Sequence, residues 1–147
     1  MSTDPLRVVT YNIRSLRDTT GVVPVLRRLE PDVVCLQEIP RFLRWRSKVA
    51  ALARRSGLFY VVGSRATGAT AVLASLRVDV LDRVEETFPR TPGLHRRGAA
   101  HAWLRTSGGE FCATSIHLGL DATERQRHLP VLQALLDRHP DLPQIVA

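Results

Sequence analysis

The sequence has few cysteines, few aromatic rings and almost no lysine. Two cysteines among 147 residues, Cys35 and Cys112, fit no zinc-ligand spacing. Each lies inside an apolar, strand-like run (Val33-Val34-Cys35-Leu36 and Phe111-Cys112-Ala113), the usual setting of a small buried thiol. Aromatic residues make up 5% of the chain, so no run of rings is available for stacking bases, and neither a helix-turn-helix nor a zinc-finger pattern is present. No apolar stretch approaches the roughly 18 residues needed to cross a bilayer. The start, Met1-Ser2-Thr3-Asp4-Pro5, has neither the basic nor the apolar region of an export signal, so a cytoplasmic location is expected, where a disulfide would be unusual.

What is present is an ordinary globular composition, 44% hydrophobic and 24% charged, of a length that suits one domain with a real core. The formal charge is +7, and every basic residue except Lys48 is an arginine. Arginine-rich surfaces suit phosphates and nucleic acid, although scattered charge is also how a surface stays solvated.

The hydrophobic pattern orders the elements. Leu6 to Ile13 is β-branched and apolar on both parities, which predicts a central strand covered on both faces. Val22 to Glu30 places Val22, Val25, Leu26 and Leu29 at helical spacing, with Pro24 setting the earliest start and Pro31-Asp32 the end. Asp32 to Ile39 is a second buried strand, and the strand-helix-strand order implies a parallel pair. Arg41 to Ser56 reads as an amphipathic helix whose apolar face is Phe42, Trp45, Val49, Leu52 and Ala53, closed by Gly57. Five short strands follow at 58–62, 69–76, 78–84, 99–104 and 110–116, expected to be antiparallel neighbours, with Ser107-Gly108-Gly109 as a hairpin turn. A last helix starts at Asp121, with Leu129, Leu132, Leu135 and Leu136 as its buried stripe and Pro130 as a kink or restart. Leu142 to Ala147 reads as the opening of a further strand. One α/β sandwich unit accounts for this order.

Three polar residues fall where buried strands end, the place where α/β sheets gather ligands. Asn12 ends the first strand, Glu38 the second, and His117 follows Ala113-Thr114-Ser115-Ile116. A carboxylate at the end of an apolar strand needs a cation or several hydrogen bonds, and Mg²⁺ meets that need. Taken singly, each has an ordinary alternative: Glu38 a solvent-facing strand end, His117 a hydrogen-bonded structural residue, Asn12 a turn former.

Together these segments resemble a known family. Val8-Val9-Thr10-Tyr11-Asn12-Ile13 resembles the first strand of the endonuclease/exonuclease/phosphatase family, which ends in an active-site Asn. Pro31-Asp32-Val33-Val34-Cys35-Leu36-Gln37-Glu38 resembles the strand whose terminal Gln-Glu supplies the metal ligand. Ser115-Ile116-His117-Leu118 is similar to the Thr-His-Leu element, followed by the acidic-basic stretch Glu124-Arg125-Gln126-Arg127, and Arg97-Gly98-Ala99 is similar to the Arg-Gly-Ala opening of the preceding strand. The resemblance implies a four-layer α/β sandwich of the deoxyribonuclease I type, with mixed sheets face to face and helices outside. Against that plan residues 1–147 form a single unfinished domain. Leu142 to Ala147 resembles the strand that leads into Gly-Asp-x-Asn, and the later Asp and the Asp-His pair are not in this sequence. A smaller departure is Thr70, which stands where many relatives carry Asn.

Carried over by position, the resemblance makes Glu38 and Asn12 the binders of Mg²⁺, for which Mn²⁺ could substitute. It gives Asn12 and Arg97, with Arg96 as competitor, contacts to the phosphate, and His117 a hydrogen bond to the phosphate or a role in proton transfer. The implied reaction is hydrolysis of a phosphodiester or phosphomonoester, with DNA or RNA slightly favoured. Little activity is expected of residues 1–147 alone. The rival reading is a non-catalytic basic module that binds nucleic acid or another polyanion through Arg41, Arg44, Arg46, Arg54 and Arg55.

Overall fold

The structure, a computed structural model, describes residues 5–147. Met1 to Asp4, and with them the reading of the chain start, lie outside the described residues. Strands β1 (Val8–Asn12), β2 (Val33–Gln37), β3 (Phe59–Ser64) and β4 (Thr70–Ala74) form one mixed sheet in the order β1-β2-β4-β3. Strands β5 (Asp79–Thr87), β6 (Gly98–Thr106), β7 (Gly109–Ile116) and β8 (Gln144–Val146) form a second in chain order. Helices α1 (Thr19–Leu29) and α2 (Trp45–Arg55) follow β1 and β2, and α3 (Ala122–Leu136) lies between β7 and β8.

Period-two alternation builds the layers. In β4, Ala71 and Leu73 face a cluster with Val23 and Leu26 of α1 and Val49, Leu52 and Ala53 of α2, while Val72 and Ala74 face the other sheet. There they meet Ala100, Ala102 and Leu104 of β6 and Phe111 and Ala113 of β7. Leu132 and Leu135 of α3 cover Phe88 and Ala99 on the far face of the second sheet. The result is helices, sheet, sheet, helix: the four-layer sandwich that the resemblance implied. β2 is buried at all five positions, and Cys35, sealed within it, has its thiol pushed up to about 12 by burial. Both cysteines are free.

Several local expectations are corrected. Among the described residues β1 pairs only with β2, in parallel, and is an edge strand rather than a central one. Its double apolar parity reflects one face on the helices and one turned towards the second sheet, with Val9 and Tyr11 on the first and Val8 on the other. The first helix begins at Thr19, ahead of Pro24, because the Asp18 carboxylate accepts from the Thr20 and Gly21 amides at 3.1 and 2.9 Å. Pro24 is tolerated inside it on the exposed side, where the carbonyl it leaves unpaired is open to water. The buried face is Val22, Val23 and Leu26, whereas Val25 and Leu29 are exposed.

The second helix starts at Trp45, not Arg41, and Phe42 is 77% exposed. Its end is as expected: Gly57 has φ 74°, with Gly57 N–H to Arg54 O at 3.2 Å and Leu58 N–H to Ala53 O at 2.8 Å, a Schellman closure. α3 runs unbroken through Pro130, which again faces solvent; Leu129 is exposed, and Glu124 and His128 take the buried stripe with Leu132 and Leu135. The five strands pair antiparallel as β3-β4 and β5-β6-β7, but β4 and β5 belong to different sheets. β8 pairs in parallel with β7, as a further strand should.

Candidate active site

The chain leaves β2 through an abrupt change of direction. Glu38 has φ 54°, a left-handed conformation that costs an L-residue about 1–2 kcal/mol. It is held by its carbonyl, which accepts from Ser15 N–H at 2.7 Å, and by Ile39 N–H, which donates to Ala69 O at 2.9 Å. Its carboxylate is half-buried between the buried Gln37 and Ile39. Asn12, at the matching end of β1, donates from Nδ2 to Glu38 Oε1 at 3.0 Å and accepts from Arg14 N–H at Oδ1, 3.1 Å away. Asn12 therefore orients the Glu38 carboxylate.

A buried polar bridge brings the second sheet to the same place. Gln37 Nε2 donates to Ser115 Oγ at 3.4 Å, and Ser115 Oγ donates to Leu36 O at 2.8 Å, so the end of β2 is tied to β7 two residues before His117. Arg97 lies just ahead of β6, across the β6-β7 hairpin from His117. Two glycines fix Arg97: a Cβ on Gly68, which has φ 76°, would lie 2.9 Å from Arg97 Cα, and one on Gly98 would lie 2.9 Å from Thr67 Cα. The two loops cross with no room for side chains at those points.

Arg97, His117 and Glu38 lie within electrostatic reach of one another. Burial lowers the pKa of His117 below the usual histidine value, the nearby Arg97 lowers it further, and Glu38 opposes. The imidazole is accordingly neutral near neutral pH. Burial also lowers the pKa of Arg97, with Glu124 and Glu38 acting against it. Arg97 Nε and His117 Nδ1 are both buried without a hydrogen-bond partner among the described residues. Such groups are rare in folded proteins and are what a ligand oxygen would satisfy.

Two participants were missed by sequence reasoning. Arg41 acts on both His117 and Arg97 and was read only as a general polyanion contact. Glu124 is 3% exposed, its side chain folded into the space a Cβ on Gly119 would need, and its charge opposes the effect of burial on Arg97. The available signal was Gly119 directly after His117-Leu118, with an acid at the third position of the helix. Asp121 caps that helix by accepting from Glu124 N–H at 2.7 Å. Thr70, the first residue of β4, is fully buried with its hydroxyl donating to Thr67 O at 3.1 Å, and offers nothing to a phosphate. The five arginines read as phosphate contacts are divided: Arg54 and Arg55 occupy the last turn of α2, whereas Arg41, Arg44 and Arg46 lie by its start.

Glu38 presents a carboxylate to which Asn12 turns its amide nitrogen, the amide oxygen accepting from Arg14 N–H, and among the described residues no cluster of three or more His, Cys, Asp or Glu is placed to hold a metal. That donor set fits Mg²⁺, which takes one or two carboxylates and fills its shell with water and substrate phosphate; it does not fit a zinc cage.

The family model described as Endonuclease/Exonuclease/phosphatase family matches residues 9–147. The chain belongs to the endonuclease/exonuclease/phosphatase family. Its members are hydrolases that act on phosphate esters. No curated protein matches the chain. Among solved structures of the family fold, the chain is similar to a humanized D. rerio TDP2 at 22% identity and TM-score 0.68, covering 96% of this chain and 59% of that one. It is similar to a family protein from Bacteroides thetaiotaomicron at 17% identity and TM-score 0.71, covering 96% and 61%. The catalytic domain of human Nocturnin, solved with bound sulfate, matches at 19% identity and TM-score 0.69, covering 97% and 62%. The chain thus spans about three fifths of these structures, and identities this low bear on the fold alone.

Proposed function

We propose that this chain carries part of the active site of a Mg²⁺-dependent phosphoesterase that hydrolyses phosphodiester or phosphomonoester bonds, with nucleic acid the favoured substrate. The observation that carries this reading is the Glu38 carboxylate, oriented by Asn12 at 3.0 Å and sharing its surroundings with the unsatisfied Arg97 and His117. Glu38, with Asn12, would hold the ion, for which Mn²⁺ could substitute. A divalent ion there supplies Lewis-acid stabilisation of charge on a phosphoryl oxygen. The Arg97 guanidinium pairs with a second phosphate oxygen and finds in it the partner its buried Nε lacks. Neutral His117 donates a hydrogen bond to the phosphate or serves in proton transfer.

Residues 1–147 contribute one acidic metal ligand to this arrangement, and the resemblance assigns water activation to an Asp and a His outside them. We therefore expect ligand binding but weak turnover from these residues. Support for a nucleic acid comes from the charge of +7 and, by analogy, from a D. rerio TDP2 structure described as complexed with single strand DNA product.

The test is metal-dependent hydrolysis of an oligonucleotide and of a small phosphodiester by residues 1–147, beside a form extended by any codons downstream of Ala147. Robust Glu38-dependent turnover by the short form would refute the weak-turnover claim, and turnover indifferent to Glu38→Gln in either form would refute the assignment. The rival reading, a non-catalytic polyanion binder, is favoured by salt-sensitive binding that survives Glu38→Ala with no cleavage in either form.

A further inference from the structure

Beside the candidate site lies a cavity of about 790 Å³, the largest of those described and within the ~300–1,000 Å³ range of ligand sites. Its walls carry Arg41, Arg46, Arg65, Arg90 and Arg96, contributed by the start of α2, the β3-β4 turn and the β5-β6 connection. None of these five makes an ion pair among the described residues. The one carboxylate in the lining, Glu85, is engaged by Ser64 Oγ at 2.8 Å. Five guanidinium groups against one carboxylate leave the groove with an excess of positive charge, which complements a polyanion.

Two of the few aromatic rings in the chain are also there. Phe42 is 77% exposed, although the hydrophobic pattern predicted it would be buried, and the Arg65 guanidinium sits 6.0 Å from its ring centre. Arg46 sits 5.0 Å from the Trp45 ring. Exposing a phenyl ring to water is costly, and stacking on a flat ligand would recover that cost. Arginines for a sugar-phosphate backbone together with rings for bases are the combination by which proteins hold single-stranded nucleic acid. A lipid headgroup would use the charge but would leave the ring without a stacking partner, and a duplex keeps its bases stacked on one another. The groove also begins at the site, since Arg41 acts on both Arg97 and His117 and Arg96 adjoins Arg97.

We infer that this groove is a track for single-stranded nucleic acid that leads a backbone phosphate to Glu38, Arg97 and His117, with Phe42 as a base-stacking platform. This rests on the phosphoesterase reading for what happens at the end of the track, but binding itself needs no metal and no turnover. The experiment is fluorescence anisotropy in chelator with a labelled single strand of about 12 nucleotides, its duplex, and vesicles of phosphatidylcholine with phosphatidylserine. The expected result is preference for the single strand, with affinity falling about 100-fold between roughly 50 and 200 mM salt if all five arginines meet phosphates. Phe42→Ala should weaken single-strand binding at least ~5-fold, the lower end of one lost stacking contact. Arg65→Ala with Arg90→Ala should lower the salt slope by about 1.4. Phe42, Arg65 and Arg90 are all exposed, so these variants should leave the fold intact.

Single-strand binding unchanged within about twofold by Phe42→Ala and by the arginine pair, equal affinity for duplex, or tighter binding to the vesicles would each overturn the inference. Loss of hydrolysis in Glu38→Gln with binding retained supports both readings. Glu38-dependent hydrolysis of a small diester with no single-strand binding would sink the track and leave the phosphoesterase. Binding with no metal-dependent hydrolysis in any form would sink the phosphoesterase and leave the track.

Discussion

β2 is bounded by two carboxylates, and the fold treats them in opposite ways. Asp32, at its start, is 5% exposed and fully engaged: it accepts from Arg7 N–H at 2.9 Å and pairs with Arg77 at 3.6 Å, while its carbonyl accepts from Ser75 N–H at 2.8 Å. Glu38, at the other end, sits in a left-handed conformation and has one side-chain partner among the described residues, Asn12. A folded protein gains by closing the bonds of a buried charge and loses by straining the backbone of a half-buried one. The closed end is built for stability, and on the proposed phosphoesterase reading the open end leaves an acceptor for a ligand.

The sharpest way to test this contrast is to remove each charge. Glu38→Gln should lower metal-dependent hydrolysis by about 100-fold or more in whichever form turns over, through loss of the ligand that places charge-stabilising chemistry at the phosphate. It should change the unfolding free energy by less than about 0.5 kcal/mol, as expected of a side chain not locked in a network. Asp32→Ala should do the reverse: about 2–3 kcal/mol lost in denaturant unfolding, because the Arg7 amide and Arg77 lose a buried charged partner. Equal destabilisation by the two substitutions would erase the distinction.

The β6-β7 hairpin repeats the contrast with histidines. His101 is buried mid-strand with Thr114 Oγ1 2.8 Å from Nδ1, whereas His117 stands at the open end. Burial, with His139 and Arg138 adding to it and Asp82 opposing, depresses His101 from 6.5 to about 4. The unfolded chain therefore binds a proton at His101 more readily than the folded one. Stability is full above the unfolded value and is lost as pH falls through 6.5 towards 4. Unfolding titrations at about pH 7 and about pH 5 should differ by roughly 1–2 kcal/mol from this residue, a difference that His101→Gln should abolish. His117, whose pKa burial also lowers, adds to the pH dependence in the same direction, so the outcome that counts against this account is a pH dependence left undiminished by His101→Gln.

Which parts of this were legible in the sequence follows from the range of the interactions. β2 was readable because a run apolar on both parities has one solution, a strand covered on both faces, and a carboxylate at its end then stands out. The shared location of Asn12 and Glu38 was equally accessible, since parallel pairing puts both at the same edge. Phe42 was misread because helical spacing does not show where a helix starts, and Arg44, with φ 60°, breaks the pattern just ahead of Trp45. The second helix of the same type, α3, was read as leucine-lined, yet Glu124 and His128 fill its inner face; a buried carboxylate set against Arg97 depends on a contact between segments that no local pattern encodes. The groove was illegible for the same reason, because its arginines come from three separated stretches of chain.

The smallest effect separates backbone from charge. At Glu38 the φ of 54° penalises any L-residue, so Glu38→Gly should be more stable than Glu38→Ala by about 1 kcal/mol, although both remove the carboxylate. Asp32 is not among the residues with positive φ, so there the order should invert, with glycine worse than alanine by about 0.5–1 kcal/mol from the entropy of the unfolded chain alone. Four denaturant curves measure this. Opposite rankings at the two ends of one strand would show that the turn at Glu38 is held against its own backbone preference by the bonds to Ser15 and Ala69, and that the strain belongs to the position rather than to the charge it carries. The same ranking at both ends would mean that the left-handed turn relaxes once the carboxylate is gone, and that the carboxylate itself, through Asn12, is what pulls the chain into it.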